Sequence, residues 1–330
     1  MINLYLIFGL ALTSFLSIIF LDNFAKKFGI FDKPDKFKIH KAKVTKLTGF
    51  GLIFLIINSF LIFNYSYELN FSLNILIFFI LIGFYDDIKG LDASSKIILM
   101  IIPTIIYIQE SGLVTTLGQY NNFSLDLKSL SFLFTFCCIL LLTNAFNYID
   151  GMDGLLSTIS LTSLLFFIIV LPNSEINFII PFIIFLSIFL IFNLGLIKPL
   201  SKVFMGDSGS LGIGFLFCII IIHYTQNLNY IHESVAIWPI AFVVYEFLTI
   251  NIIRIKNKKS PFNRDLNFIF NKFLNNYTKT KTLILCNLIN LLVCCLGYFF
   301  HVTKYYELSV SFFIILYFIH LFLRLKQHKN

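Results

Sequence analysis

Asn144-Ala145-Phe146-Asn147-Tyr148-Ile149-Asp150-Gly151-Met152-Asp153-Gly154-Leu155 sets two aspartates and two asparagines between two strongly apolar runs. A charged side chain at the centre of a bilayer costs roughly 2.5–3.5 kcal/mol even on the lenient insertion scale. Acids inside or beside a membrane span are therefore candidates for function. The pattern returns at Gly83-Phe84-Tyr85-Asp86-Asp87 and at Phe204-Met205-Gly206-Asp207-Ser208-Gly209-Ser210. Around these islands the chain is 58% hydrophobic, with a mean hydropathy of +0.87 and 42 phenylalanines. That composition predicts an all-α, polytopic integral membrane bundle, a single membrane-embedded domain over residues 1–330.

Eleven apolar runs of about 15–20 residues are each near the length that crosses hydrocarbon as a helix. They fall at about 3–21, 47–65, 71–85, 96–110, 129–146, 154–171, 177–195, 209–224, 234–252, 282–300 and 307–323. Continuous apolar runs argue against a β-barrel, whose strands alternate over about ten residues. With the N-terminus outside and the C-terminus cytoplasmic, 23 of the 25 Lys and Arg residues lie inside, leaving only Lys128 and Lys304 outside. This is the asymmetry of the positive-inside rule, and it puts all three acidic islands at inner ends of spans.

The net charge of +8 follows from those inner lysines. They suit anionic headgroups and phosphorylated substrates, so nucleic acid is not needed as a partner. The first run has neither a basic leader nor a small-residue cleavage site and reads as a retained span. Cys137, Cys138, Cys218, Cys286, Cys294 and Cys295 sit in apolar runs without CxxC spacing and read as helix-packing residues. Outside, Gly112, Gly118 and Asn121-Asn122 predict a small turn or hairpin within 111–128.

Each island has a bland and a chemical reading. Asp86-Asp87 is either a solvated helix end or a pair held ionised by a cation, for which magnesium, a ligand of carboxylate and phosphate oxygens, is suited. Asn147, Asp150 and Asp153 recur every third residue, so a helical start would put them on roughly one face. Asp153 could instead cap the following span. Asp207, between Gly206 and Gly209, precedes a span whose N-terminal amides could bind phosphate. Phe204 could present a ring to a base or simply pack. The basic loops around Lys38 and His40, and around Arg264 and Asp265, are explained by topology alone unless a phosphate is to be gripped. Walker-type and Ser/His/Asp arrangements are absent from the sequence.

Taken in order, Asp-Asp, NxxNxxDGxDGL and FMGDSGS resemble the motifs of the polyprenyl-phosphate N-acetylhexosamine-1-phosphate transferase superfamily. The resemblance runs from about Asp32 to Phe273, and the overall pattern is nearer to the undecaprenyl-phosphate GlcNAc-1-phosphate transferases than to the phospho-N-acetylmuramoyl-pentapeptide transferases. It implies a Mg2+-dependent enzyme, with Mn2+ as an alternative ion, at the bacterial inner membrane. Its substrates would be a UDP-HexNAc and polyprenyl phosphate; a homodimer is compatible with the resemblance. By motif match Asp86, Asp87 and Asp207 are implied to be catalytic, with Asp207 and Asp87 holding the metal. Lys38, His40, Lys96, Asn147, Asp150, Asp153, Phe204, Arg264 and Asp265 are implied to bind substrate, Phe204 by stacking on uracil.

Two departures stand out. Ser260-Pro261-Phe262-Asn263-Arg264-Asp265 is followed by Leu266-Asn267-Phe268-Ile269-Phe270-Asn271, without the histidine cluster that the resemblance implies there. Glu246 stands where the family usually carries aspartate. An unusual sugar, a slower enzyme or lost activity would each fit these changes; the retention of every carboxylate in the three main motifs favours an active enzyme. A cation-coupled transporter is the rival from another class, but transporters place their acids near the midplane. An inactive scaffold is the third reading.

Overall fold

The computed structural model describes residues 4–34, 42–197, 200–261 and 265–327. It is a helical bundle. The long helices are α1 (Leu4–Phe28), α3 (Tyr67–Lys89), α4 (Ala93–Glu110), α5 (Ser131–Ile149), α7 (Ile176–Asn193), α8 (Gly206–Ile222), α10 (Ala241–Lys256), α12 (Lys279–Thr303) and α13 (Tyr306–Gln327). Shorter apolar helices are α2 (Gly51–Ile62) and α6 (Leu155–Val170), while α9 (Glu233–Ala236) leads into α10 and α11 (Ile269–Leu274) precedes α12. Among the described residues, nine helical segments are long and apolar enough to cross a membrane, and two shorter apolar helices accompany them. These elements match the eleven apolar runs in order, consistent with a polytopic membrane bundle.

Local chemistry sets the helix limits. Ser66, Asp92 and Thr278 cap α3, α4 and α12 by accepting the amide of the residue three positions on. Gly90 ends α3 in the left-handed region. The helices overrun the apolar runs: α3 continues through Asp86 and Asp87, and α4 begins before Lys96. Charged residues expected at span edges are thus held on regular backbone. Outside the helices, β1 (Phe31–Asp32) pairs with β2 (Val44–Thr45), and β3 (Thr116–Gln119) pairs with β4 (Ser124–Asp126), the hairpin expected within 111–128.

The bundle is built around α8. The apolar window of the segment Gly206–Asn227 is 94% buried, whereas that of α13 is 11% buried. A helix apolar on every side belongs in a protein interior, and α8 packs between α3 and α5. Its small residues allow this, as is usual where membrane helices approach closely. At one crossing the reciprocal small residue is Gly83 of α3, where a Cβ would overlap the backbone of Asp207 and Ser208. Peripheral helices expose Leu4, Leu61, Ile102 and Phe318 outward, as lipid-facing surfaces would.

Candidate active site

The three acidic islands, far apart in sequence, meet around the first turn of α8. Gly206 opens that helix at φ +76, and a Cβ there would run into the Lys46 carbonyl and the Asp87 carboxylate. Glycine is therefore required for the turn that brings Asp207 to the end of α3. Asp87 then receives the backbone N–H groups of Asp207 and Ser208, one on each carboxylate oxygen and both at 3.0 Å. An acid from α3 thus caps α8 and complements the positive end of its dipole. These two amides, read from the sequence as a phosphate cradle, are already occupied by a carboxylate.

Asp86 points the other way. One oxygen accepts the Leu91 amide at 2.6 Å, and the other forms an ion pair with Lys96. The same Lys96 ammonium pairs with Asp207, so one cation sits between two carboxylates from different helices. Asn147, in the last turn of α5, donates to the second oxygen of Asp207 at 2.9 Å and to the Ser210 hydroxyl at 2.8 Å. Lys46 approaches Asp87 at 3.8 Å. The side chains of Asp86 and Asp87 are 7% and 2% exposed against 33% for Asp207. Asp207 is therefore the acid that faces open space.

The remaining members of the Asn147 island diverge. Helix α5 ends at Ile149, so Asn147, Asp150 and Asp153 do not share a continuous helical face. Asp153 pairs with Lys202 at 2.5 Å and lies 3.7 Å from Lys279. Nor is it the cap of α6: Gly154 occupies that position at φ +77 and donates its amide to Asn193 at 2.6 Å. Asn193 also donates to the Val203 carbonyl at 2.8 Å, tying the second island to the third. Asp150 is pushed well above the usual carboxylate range, first by burial and then by the charges of Asp207, Asp87, Asp153 and Asp32.

Phe204 is strung along the end of the first loop: its amide donates to the Thr45 carbonyl at 2.8 Å, and Thr48 donates to its carbonyl at 2.6 Å. The Lys202 ammonium lies 5.4 Å from its ring centroid. Asp265 is engaged by Arg254, whose Nε donates to it at 2.9 Å, and by the Asn267 amide at 3.0 Å. Burial raises its pKa, but these donors outweigh burial and hold it below the usual carboxylate value. Lys38, His40 and Arg264 lie outside the described residues.

Sequence reasoning missed Lys46, Asn193 and Arg254. Lys46 had a usable signal, since it stands directly before the small-residue entry into α2. Asn193 and Arg254 are recognisable only by the partners that folding brings to them.

Among the described residues, no group of three or more His, Cys, Asp or Glu side chains is disposed to hold a metal ion. The arrangement fits a cation in another way. Asp86 and Asp207 already converge on a single positive charge, and magnesium commonly takes only one or two carboxylates, with substrate phosphates and water completing its shell. Donors, acids and two lysines around one partly open carboxylate are suited to orienting and neutralising phosphate groups.

A family model described as glycosyl transferase family 4 matches residues 69–225, which include all three islands. An undecaprenyl-phosphate alpha-N-acetylglucosaminyl 1-phosphate transferase of Thermotoga maritima is 31% identical over 289 residues, covering 87% of this chain and 85% of that protein. The proteins of the same description from Yersinia pestis and Escherichia coli strain K12 are each 28% identical. Those alignments cover 83% and 86% of this chain, and 77% and 79% of the relatives.

Proposed function

The chain belongs to glycosyl transferase family 4, and from that premise we propose that it transfers a HexNAc-1-phosphate from a UDP-sugar to polyprenyl phosphate. The observation that carries this reading is the convergence of Asp86, Asp87, Asp207, Asn147 and Lys96 at one end of the bundle. An oxygen of the lipid phosphate would form a bond to the sugar-linked phosphorus. The phosphoanhydride bond would break, and UMP would leave with its electron pair. The product is a lipid-diphosphate-sugar, the starting unit of a cell-surface polysaccharide.

The protein's own part is positioning and charge balance, the main demands of phosphoryl-type transfer. Asp207 would hold magnesium together with Asp86, whose oxygen already shares a cation with it; when bound, the ion would neutralise the phosphate oxygens. Asp87, expected from sequence as a ligand, engages both oxygens with α8 amides and would keep Asp207 in register. Lys96 and Lys46 would face the phosphates. Asn147 would orient Asp207, and Asp150 and Asp153 would line the nucleotide-sugar pocket with Phe204 against uracil. Lys38, His40 and Arg264 would add phosphate contacts, while Asp265 would shape its loop through Arg254. The site would face the cytoplasm of a bacterial inner membrane, where both the lysine asymmetry and a UDP-sugar supply would place it.

The test is UMP release by the protein in lipid nanodiscs supplied with polyprenyl phosphate, a panel of UDP-HexNAc donors and magnesium. Turnover that disappears on chelation and in Asp207→Asn supports the reading. Failure with every donor in the panel overturns it.

A further inference from the structure

Glu246, on α10, is 3% exposed and has partners on two other segments. One oxygen accepts from Arg324 Nε at 3.0 Å and lies 3.0 Å from His320 Nε2, both on α13. The other accepts the Ile269 amide at 2.9 Å. Arg324, 2% exposed, also donates to the Asn267 carbonyl. A planar guanidinium can bind a carboxylate and a carbonyl together, a geometry an ammonium does not reproduce. Helix α13 is otherwise the least buried of the candidate spans, so this polar cluster is a specific attachment in a mainly lipid-facing helix.

The segment so fastened leans on the active site. Phe268 meets the Tyr148 ring edge-on at 6.0 Å, and the Arg254 guanidinium lies over both rings at 5.1 and 5.9 Å. Tyr148 and Arg254 both donate to the Pro261 carbonyl, at 3.1 and 2.5 Å. Phe270, 3% exposed, reaches Gly151 so closely that a Cβ there would meet its ring at 2.7 Å. Tyr148 and Gly151 flank the Ile149-Asp150 step of the second island. The aromatic pair Phe268 and Phe270 stands in the stretch where the family resemblance implies histidines.

We propose that Arg324 and His320 are positioning residues of the active site: acting through Glu246, they hold the 265–270 segment against Tyr148 and Gly151 and so set the nucleotide-sugar side of the pocket. The last helix, remote from the Asp207 cluster, thereby supports the wall that carries Asp150. The kinetic consequence rests on the transfer reaction proposed above; the structural one does not.

The test compares wild type, Arg324→Met and Arg324→Lys in nanodiscs by amide hydrogen exchange and by UMP-release kinetics. In Arg324→Met, exchange of the 265–270 amides is expected to quicken about tenfold or more. The KM for the UDP-sugar should rise about fivefold, while that for polyprenyl phosphate stays within about twofold. Arg324→Lys, which keeps the charge but loses the fork, should fall between. His320→Leu gives a second route should Arg324→Met not accumulate, with smaller shifts of the same sign. Unchanged exchange at 265–270 overturns the proposal, as does a fall in kcat with both KM values unchanged, the signature of a smaller folded fraction. If wild type releases no UMP, the transfer reading fails and exchange alone decides the attachment.

Discussion

Among the described residues, two buried acid clusters, around α8 and around α10, are balanced in opposite ways. Around α8, Asp86 and Asp207 share one lysine, while Asp87 relies on two amides and a more distant Lys46. Around α10, Glu246 has Arg324 and His320 to itself, and Asp265 has Arg254. The first cluster is acid-rich and leaves Asp207 partly open; the second pairs its acids with guanidinium groups and is closed. An under-compensated carboxylate beside a cleft is poised for an incoming positive charge, whereas a compensated one serves architecture.

The contrast breaks most directly at Asp207. Asp207→Asn should lower UMP release by about a thousandfold or more, the scale of losing a group that stabilises developing charge, while lowering thermal stability without ligand only slightly, since Lys96 keeps Asp86 as its partner. A large loss of stability in that variant would erase the distinction between the clusters. Glu246→Ala should do the reverse in kind: leaving Arg324 buried without its carboxylate should cost about 3–5 kcal/mol of stability, read as a clear fall in the nanodisc melting temperature. Magnesium sharpens the comparison. It should raise the melting temperature of wild type by a few degrees through mass action, and should have no such effect on Asp207→Asn.

The smallest effect concerns Asp150. Its folded pKa lies above the unfolded value, so folding favours its protonated form: the associated stability is fully present below the unfolded pKa and is lost as pH rises through the folded pKa. Asp150→Asn should therefore raise the ligand-free melting temperature by a degree or so near pH 7.5, and the gain should fade towards pH 4. Asp265 carries the opposite sign. Its depressed pKa stabilises the fold above the unfolded value and is lost only as pH falls through the folded one.

Much of the bundle is legible in the sequence because hydrocarbon imposes a length. The order of the spans follows from apolar runs, and the islands declare themselves because an acid has no physical reason to lie beside them. What is hidden is partnership across distance. Nothing in local spacing says that Asp87 will cap α8, since its two donors lie 120 and 121 residues away. The even spacing of Asn147, Asp150 and Asp153 misleads, because Gly151 and Gly154 break the helix that would have aligned them. Glu246 did carry a signal: an acid within an apolar run must find a cation. His320 and Arg324 at the end of the last run were the available candidates, but only the fold selects them.

The cap on α8 also bears on how the chain is made. Asp87 is synthesised long before the amides it will accept, so α3 must insert before those two donors exist. A midspan acid in that position would wait in hydrocarbon at a prohibitive cost; at a helix end it can wait in water. When α8 arrives, Asp87 exchanges that water for two backbone donors, and the same event delivers Asp207 to Lys96. Assembly of the site is thereby tied to correct placement of the eighth apolar run, and a chain whose α8 fails to seat between α3 and α5 would lack Asp207 at the end of α3.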